Sequence, residues 1–252
     1  MPPRFTRARL ITRDDPRYRA FMRQLMLSKS NERASRPPAP RDLFGKEAET
    51  ALRDWLAAQL PLSERRFLEY VDQRERSGFV KYREIDAVSI IDPRSIEVFE
   101  IKASRNASSV RRALRQLDDT SAILGTIFPR VRMTILLVDT GIPTPEEVIL
   151  TMAASDAPKS PPPTLDDVLE AVPRIRLVTS LDERDANLDI VSLLRLGVAD
   201  IIALVGAENL HLNWDEEPDE QPSLPEPSQT AYSSDDPSDE DNPFAVALRH
   251  WR

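Results

Sequence analysis

The chain has 252 residues, room for one large domain or for one medium domain with extensions. It contains no cysteine and two histidines, His211 and His250, which excludes disulfides and a Cys/His zinc centre and leaves carboxylates as the side chains able to hold a metal. The net charge of -8 is unevenly divided: residues 1–135 carry 27 Lys+Arg against 18 Asp+Glu, the remainder 7 against 24, so the front half suits a polyanion and the back half does not.

No run approaches the roughly 18 apolar residues that span a bilayer, and the basic start lacks the apolar segment of a secretory signal. A membrane association is not expected, and the cytoplasm is the expected compartment. Residues 1–41 read as a basic arm. Within it Tyr18, Phe21, Met22, Leu25 and Met26 recur at spacings of three and four, predicting a helix over 16–27 that must lie against its own domain or a partner. The polar, proline-rich stretch SKSNERASRPPAPR follows as a linker.

A central unit spans 42–153. Its first helix, over 44–60, carries Phe44, Ala48, Ala51, Leu52, Trp55, Leu56 and Leu60 on one stripe, with Asp42 as a candidate cap and Pro61 as the stop. Strand-like runs at 66–72, 82–91 and 96–103 form a meander, turning at QRERSGF and at Asp92 and Pro93. An amphipathic helix over 108–127, an unbroken apolar strand over 133–138 and a helix over 145–153 complete the unit. After a second proline-rich break, residues 154–212 hold a helix at 165–172, a strand at 175–179 and a buried-looking run at 188–210, which either complete that unit or form a small module beside it. Residues 213–252 are acidic and rich in Pro and Ser, the composition of a disordered tail, and end in the apolar tip NPFAVALRHWR.

The order helix, three meandering strands, helix, strand over 44–153 resembles the common core of the PD-(D/E)xK nuclease superfamily, the restriction-endonuclease-like fold. The residues that carry the resemblance are an acid within GKEAETALRDWL, the aspartate of REIDAVSII (Asp86) and the Glu-x-Lys of EVFEIKAS (Glu100 and Lys102). The resemblance implies an α/β three-layer sandwich with a central mixed sheet flanked by helices, here extended by the helical arm and the acidic tail. It also implies hydrolysis of phosphodiester bonds, with DNA as the expected nucleic acid and Mg2+ or Mn2+ as cofactor. One or two divalent ions held by carboxylates can make a water nucleophilic and neutralise the charge that builds on phosphorus.

Asp86, Glu100 and the carbonyl of Ile101 are the expected metal ligands. Glu100 and Lys102 share a strand face, while Ile101 points into the core. Lys102 would orient the attacking water or stabilise developing charge. On the first helix Glu49 is favoured as an outer-sphere acid and Glu47 is kept in reserve. Gln116 is a further candidate, because the exonuclease branch carries a glutamine on the helix after the Glu-x-Lys strand; the aromatic residue usual one turn later is absent here. Lys81, Arg83, Arg105, Arg111, Arg112 and Arg115 are candidate phosphate contacts, with Arg4, Arg7, Arg9 and Arg13 as a second grip. Protein partners are expected at the arm or at the C-terminal tip, through Phe244, Val246, Leu248 and Trp251. The alternative is a nuclease-like subunit without activity that binds nucleic acid or scaffolds a complex; a transcription regulator is a third reading, disfavoured because no helix-turn-helix pattern is present.

Overall fold

The computed structural model describes residues 4–29, 40–74, 79–154 and 160–212. The C-terminal tail and its tip, the linker centre and the QRERSGF turn lie largely or wholly outside the described residues. The chain is α/β, with two sheets flanked by helices. In the first sheet β1 (Phe5–Ile11), β2 (Phe67–Asp72) and β3 (Val80–Glu84) pair antiparallel in that order. The second sheet runs β4 (Ala87–Asp92), β5 (Ser95–Ser104), β6 (Arg130–Asp139), β8 (Val191–Gly197) and β7 (Ile175–Val178). There β4 is antiparallel to β5 and the other neighbours are parallel.

The helices are α1 (Pro16–Lys29), α2 (Pro40–Ala57), α3 (Ser108–Leu124), α4 (Pro145–Ala153), α5 (Leu165–Ala171) and α6 (Val198–Val205). The α3 helix buries Val110, Ala113, Leu114, Leu117, Thr120, Ile123 and Leu124, one stripe at helical spacing, against Val98 and Ile135 of the second sheet and Leu68 and Tyr70 of the first. On the opposite face of the second sheet, Phe44, Ala48, Leu52 and Leu56 of α2 and Ile201 of α6 pack against Phe99, Ile101, Leu136 and Leu194. Leu52 is fully buried in that layer, so Leu52→Ala is expected to lower unfolding stability by about 2–5 kcal/mol, measured by urea denaturation.

Several expectations change. The meander does not lie in one sheet. Its predicted strand over 82–91 breaks at Ile85 and Asp86 into β3 and β4, which belong to different sheets. Side chains take over where the ladder stops. The Ile85 N–H donates to the Arg66 carbonyl at 2.9 Å, Arg66 Nη1 donates to the Ile85 carbonyl at 3.1 Å, and Arg53 Nε donates to the Asp86 carbonyl at 2.9 Å. These bonds satisfy backbone groups that would otherwise need a neighbouring strand.

Ahead of α1 the chain forms β1, which the sequence pattern did not announce. A bulge with Arg7 at φ 55° shifts the register between Thr6 and Arg9, so Phe5 joins the α3 layer while Ile11 faces the other way. The α1 helix lies against its own domain: Tyr18 and Phe21 meet Phe67 and Tyr82, with ring centroids 4.7–5.3 Å apart. Asp42 sits inside the first turn of α2 rather than ahead of it. Residues beyond the second proline-rich break continue the second sheet, through the pairing of β8 with β6 and of β7 with β8.

Candidate active site

The pairing of Ala87 with Phe99 puts Asp86, one residue before β4, opposite Glu100 on β5. Glu100 and Lys102 continue the face of β5 that holds Ile96 and Val98, on the α3 side, while Phe99 and Ile101 point into the α2 layer as expected. Asp86 Oδ2 accepts the Ile101 N–H at 2.7 Å. In a strand the N–H and C=O of one residue point to the same side, so the Ile101 carbonyl also faces this edge, just past the end of β4. Lys102 Nζ stands 2.5 Å from Glu100 Oε1. Glu100 is buried, and Lys102 keeps about a quarter of its side chain exposed, so the cluster opens to solvent on the ammonium side.

The electrostatics are those of crowded negative charge. Burial, and then the charge of Glu100, push the Asp86 carboxyl up to about 7; Glu49 adds to the rise, and the Ile101 N–H and the Lys102 ammonium oppose it. Glu49 therefore belongs to the same field as Asp86 and Glu100, although it is held by an ion pair to Arg53 one turn along α2. Glu47 is engaged elsewhere: its carboxylate accepts the His211 N–H at 2.8 Å and lies 2.5 Å from His211 Nδ1.

Two carboxylates, one main-chain oxygen and an open side are a donor set that fits a hard divalent cation such as Mg2+, which keeps several waters and takes one or two carboxylates from the protein. Among the described residues no group of three or more His, Cys, Asp or Glu side chains is gathered in a metal-holding cluster.

The remaining candidates divide. Gln116 lies on α3 with its side chain toward solvent, and its carbonyl accepts Arg83 Nη1 at 3.0 Å; it is not drawn into the carboxylate cluster. Arg83 is committed to α3 as well, donating to Thr120 Oγ1 at 3.1 Å and to Asp119 at 3.4 Å. Lys81 is half-buried on β3. Arg105, Arg111, Arg112 and Arg115 are exposed in the stretch just after β5 and on the first two turns of α3. In the arm Arg4 pairs with Asp72 and Arg9 makes a two-pronged contact with Glu69, whereas Arg7, lifted out at the bulge, and Arg13 are exposed.

Arg53 was missed by sequence reading, although its i,i+4 spacing from Glu49 on a helix was a usable signal. It ties the helix acid to the main chain of Asp86. Arg53→Met removes both bonds and is expected to lower unfolding stability by about 1–3 kcal/mol, measured by urea denaturation. No protein-family model, curated protein or solved structure matches the chain.

Proposed function

We propose that the chain is a metal-dependent nuclease of the PD-(D/E)xK class, hydrolysing phosphodiester bonds of DNA, with its central sheet and flanking helices forming a restriction-endonuclease-like sandwich. The observation that carries the reading is the Asp86 carboxylate seated on the Ile101 N–H, opposite Glu100 and beside Lys102, where burial and neighbouring carboxylates raise its pKa.

Mg2+ or Mn2+ would be held by Asp86, Glu100 and the Ile101 carbonyl, and when bound it supplies charge neutralisation and an activated water. The protein's own groups do the rest. Glu100 and Asp86 hold their places through β5 and its backbone, and Glu49 adds negative field from α2. Lys102 Nζ, a compact ammonium beside Glu100, is positioned to orient a water and to meet the negative charge that develops on the phosphoryl oxygens. Exposed Arg105, Arg111, Arg112 and Arg115 contact backbone phosphates without reading bases, so affinity falls steeply with salt.

The reading includes work within a larger assembly. Supporting this, α4 buries none of its residues and leaves Ile149 and Leu150 68% and 69% exposed, an apolar surface of the kind a partner covers. The test is incubation of the purified protein with plasmid and short duplex DNA in Mg2+ or Mn2+ against an EDTA control. Divalent-dependent cleavage is the expected result. Binding without cleavage, in every metal and with candidate partners added, selects the inactive scaffold instead.

A further inference from the structure

At the opposite pole of the second sheet, near the start of β5 and β6, lies a cavity of about 250 Å³ lined by Ile91, Ser95, Ile96, Arg130, Arg132, Ala186 and Leu188. Arg130 and Arg132 stand two apart on β6 and so project from one face of the sheet, with Ser95 and Glu97 as their respective neighbours on β5. Glu97 is almost completely buried, and its Oε1 is already taken: Arg184 Nη1 donates to it at 2.9 Å and Thr134 Oγ1 at 3.4 Å. Arg132 is left with attraction through space to that carboxylate, and its Nε is buried without a hydrogen-bond partner. Among the described residues neither Arg130 nor Arg132 has a carboxylate within ion-pairing distance.

The Ser95 hydroxyl and the Arg94 N–H are turned to Asp92, which feels Arg130 only at longer range. Arg130 and Arg132 therefore line the cavity with no ion-pair partner of their own among the described residues, Glu97 Oε1 being held by Arg184 and Asp92 by the Arg94 N–H. The terminal guanidinium nitrogens of Arg130 and Arg132 make no ion pair with the described residues, and a charged acceptor in the cavity would supply one. The acceptor has to be small enough for the cavity and able to take two guanidinium groups at once, which is the geometry of a tetrahedral oxyanion. The walls above it, Ile91, Ile96, Ala186 and Leu188, are apolar, and Ile91 is 52% exposed at the rim, so the oxyanion can be borne on a body with an apolar face.

We propose that this cavity is a phosphate-binding site, separate from the carboxylate cluster, in which Arg130 and Arg132 grip a phosphoryl group and the apolar wall covers what carries it. The position is independent of the nuclease reading. Ser95 and Glu100 are five residues apart on one strand, roughly 17 Å at strand rise, so the two sites do not share a contact. The phosphoryl group can come from a free small molecule or from the backbone of a nucleic acid bound elsewhere on the chain, and the two sources are separable.

The experiment is calorimetric titration of the whole chain with inorganic phosphate, with adenosine monophosphate and with a short single-stranded oligonucleotide, on the wild type and on the Arg130→Met and Arg132→Met variants. Methionine keeps most of the apolar stem and removes the guanidinium, and a melting curve of each variant without ligand confirms its fold. Saturable phosphate binding that weakens at least tenfold in both variants is expected. Tighter binding of the monophosphate than of phosphate assigns a free ligand; a parallel loss of oligonucleotide affinity assigns the backbone of a strand. Absence of phosphate binding together with unchanged oligonucleotide affinity in folded variants overturns the proposal. DNA cleavage in metal by the two variants is read separately, and its loss or retention bears on the nuclease reading alone.

Discussion

On the nuclease reading proposed above, Asp86→Ala and Lys102→Ala are each expected to reduce metal-dependent DNA cleavage by about a thousandfold or more, while leaving the circular dichroism spectrum and DNA affinity close to those of the parent. The two substitutions act for different reasons. Removing Asp86 deletes a carboxylate that the strand edge holds on the Ile101 N–H, and with it the site's charge for a divalent ion. Removing Lys102 leaves that charge but takes away the ammonium 2.5 Å from Glu100, the one cation of the cluster placed to meet charge that develops during reaction. Metal binding should therefore be lost in the first variant and kept in the second, a split that calorimetric Mn2+ titration can read. Full activity in either variant, in a preparation free of contaminating nuclease, would sink the assignment of these residues.

The second large effect is on stability. The Asp86 carboxyl is raised from its ordinary 3.8 to about 7 in the fold, chiefly by burial and by Glu100. Between those values the folded protein keeps a proton that the unfolded chain has released. The unfolded state thus binds fewer protons, and stability falls as pH rises from about 4 to about 7, then levels off. Asp86→Asn mimics the protonated form and escapes that loss. In EDTA at pH 8 the variant is expected to melt several degrees above the wild type, with an upper bound of about 4 kcal/mol at roughly 1.36 kcal/mol per pKa unit, and with the difference disappearing near pH 4. Added Mg2+ should reverse the order, stabilising the wild type by mass action and leaving the variant unmoved. Affinity for the ion should climb through neutral pH, because the cation displaces a proton. A variant that melts below the wild type at pH 8 in EDTA would mean that the carboxylate is already satisfied by its protein neighbours.

Much of the scaffold was legible because its signals are local. The stripe from Val110 to Leu124 announced α3, Thr144 and Glu147 frame a capping box at the start of α4, and the apolar run of β6 reads as a strand covered on both faces. The pairing of Glu100 with Lys102 on one face follows from alternation alone. The β1 strand escaped notice because its bulge at Arg7 resets the period-two pattern: Phe5 and Ile11, which alternation would place on one face, enter different cores. Of the arginines expected to meet nucleic acid, Arg4, Arg9 and Arg83 turn inward to Asp72, Glu69 and Asp119, a sorting that a count of charges along the chain does not encode.

From the sequence alone came the helices and strands whose period is written in neighbouring side chains, and the placement of Glu100 and Lys102 on one strand face. Only the tertiary structure decided that the chain between Glu84 and Ala87 leaves one sheet and enters another, that Arg53 and Arg66 secure the turn, and that Glu47 is taken by His211 while Glu49 pairs with Arg53. These choices rest on hydrogen bonds between residues 19, 33 and 164 positions apart, and no periodicity along the chain encodes which distant donor a carbonyl or carboxylate will find.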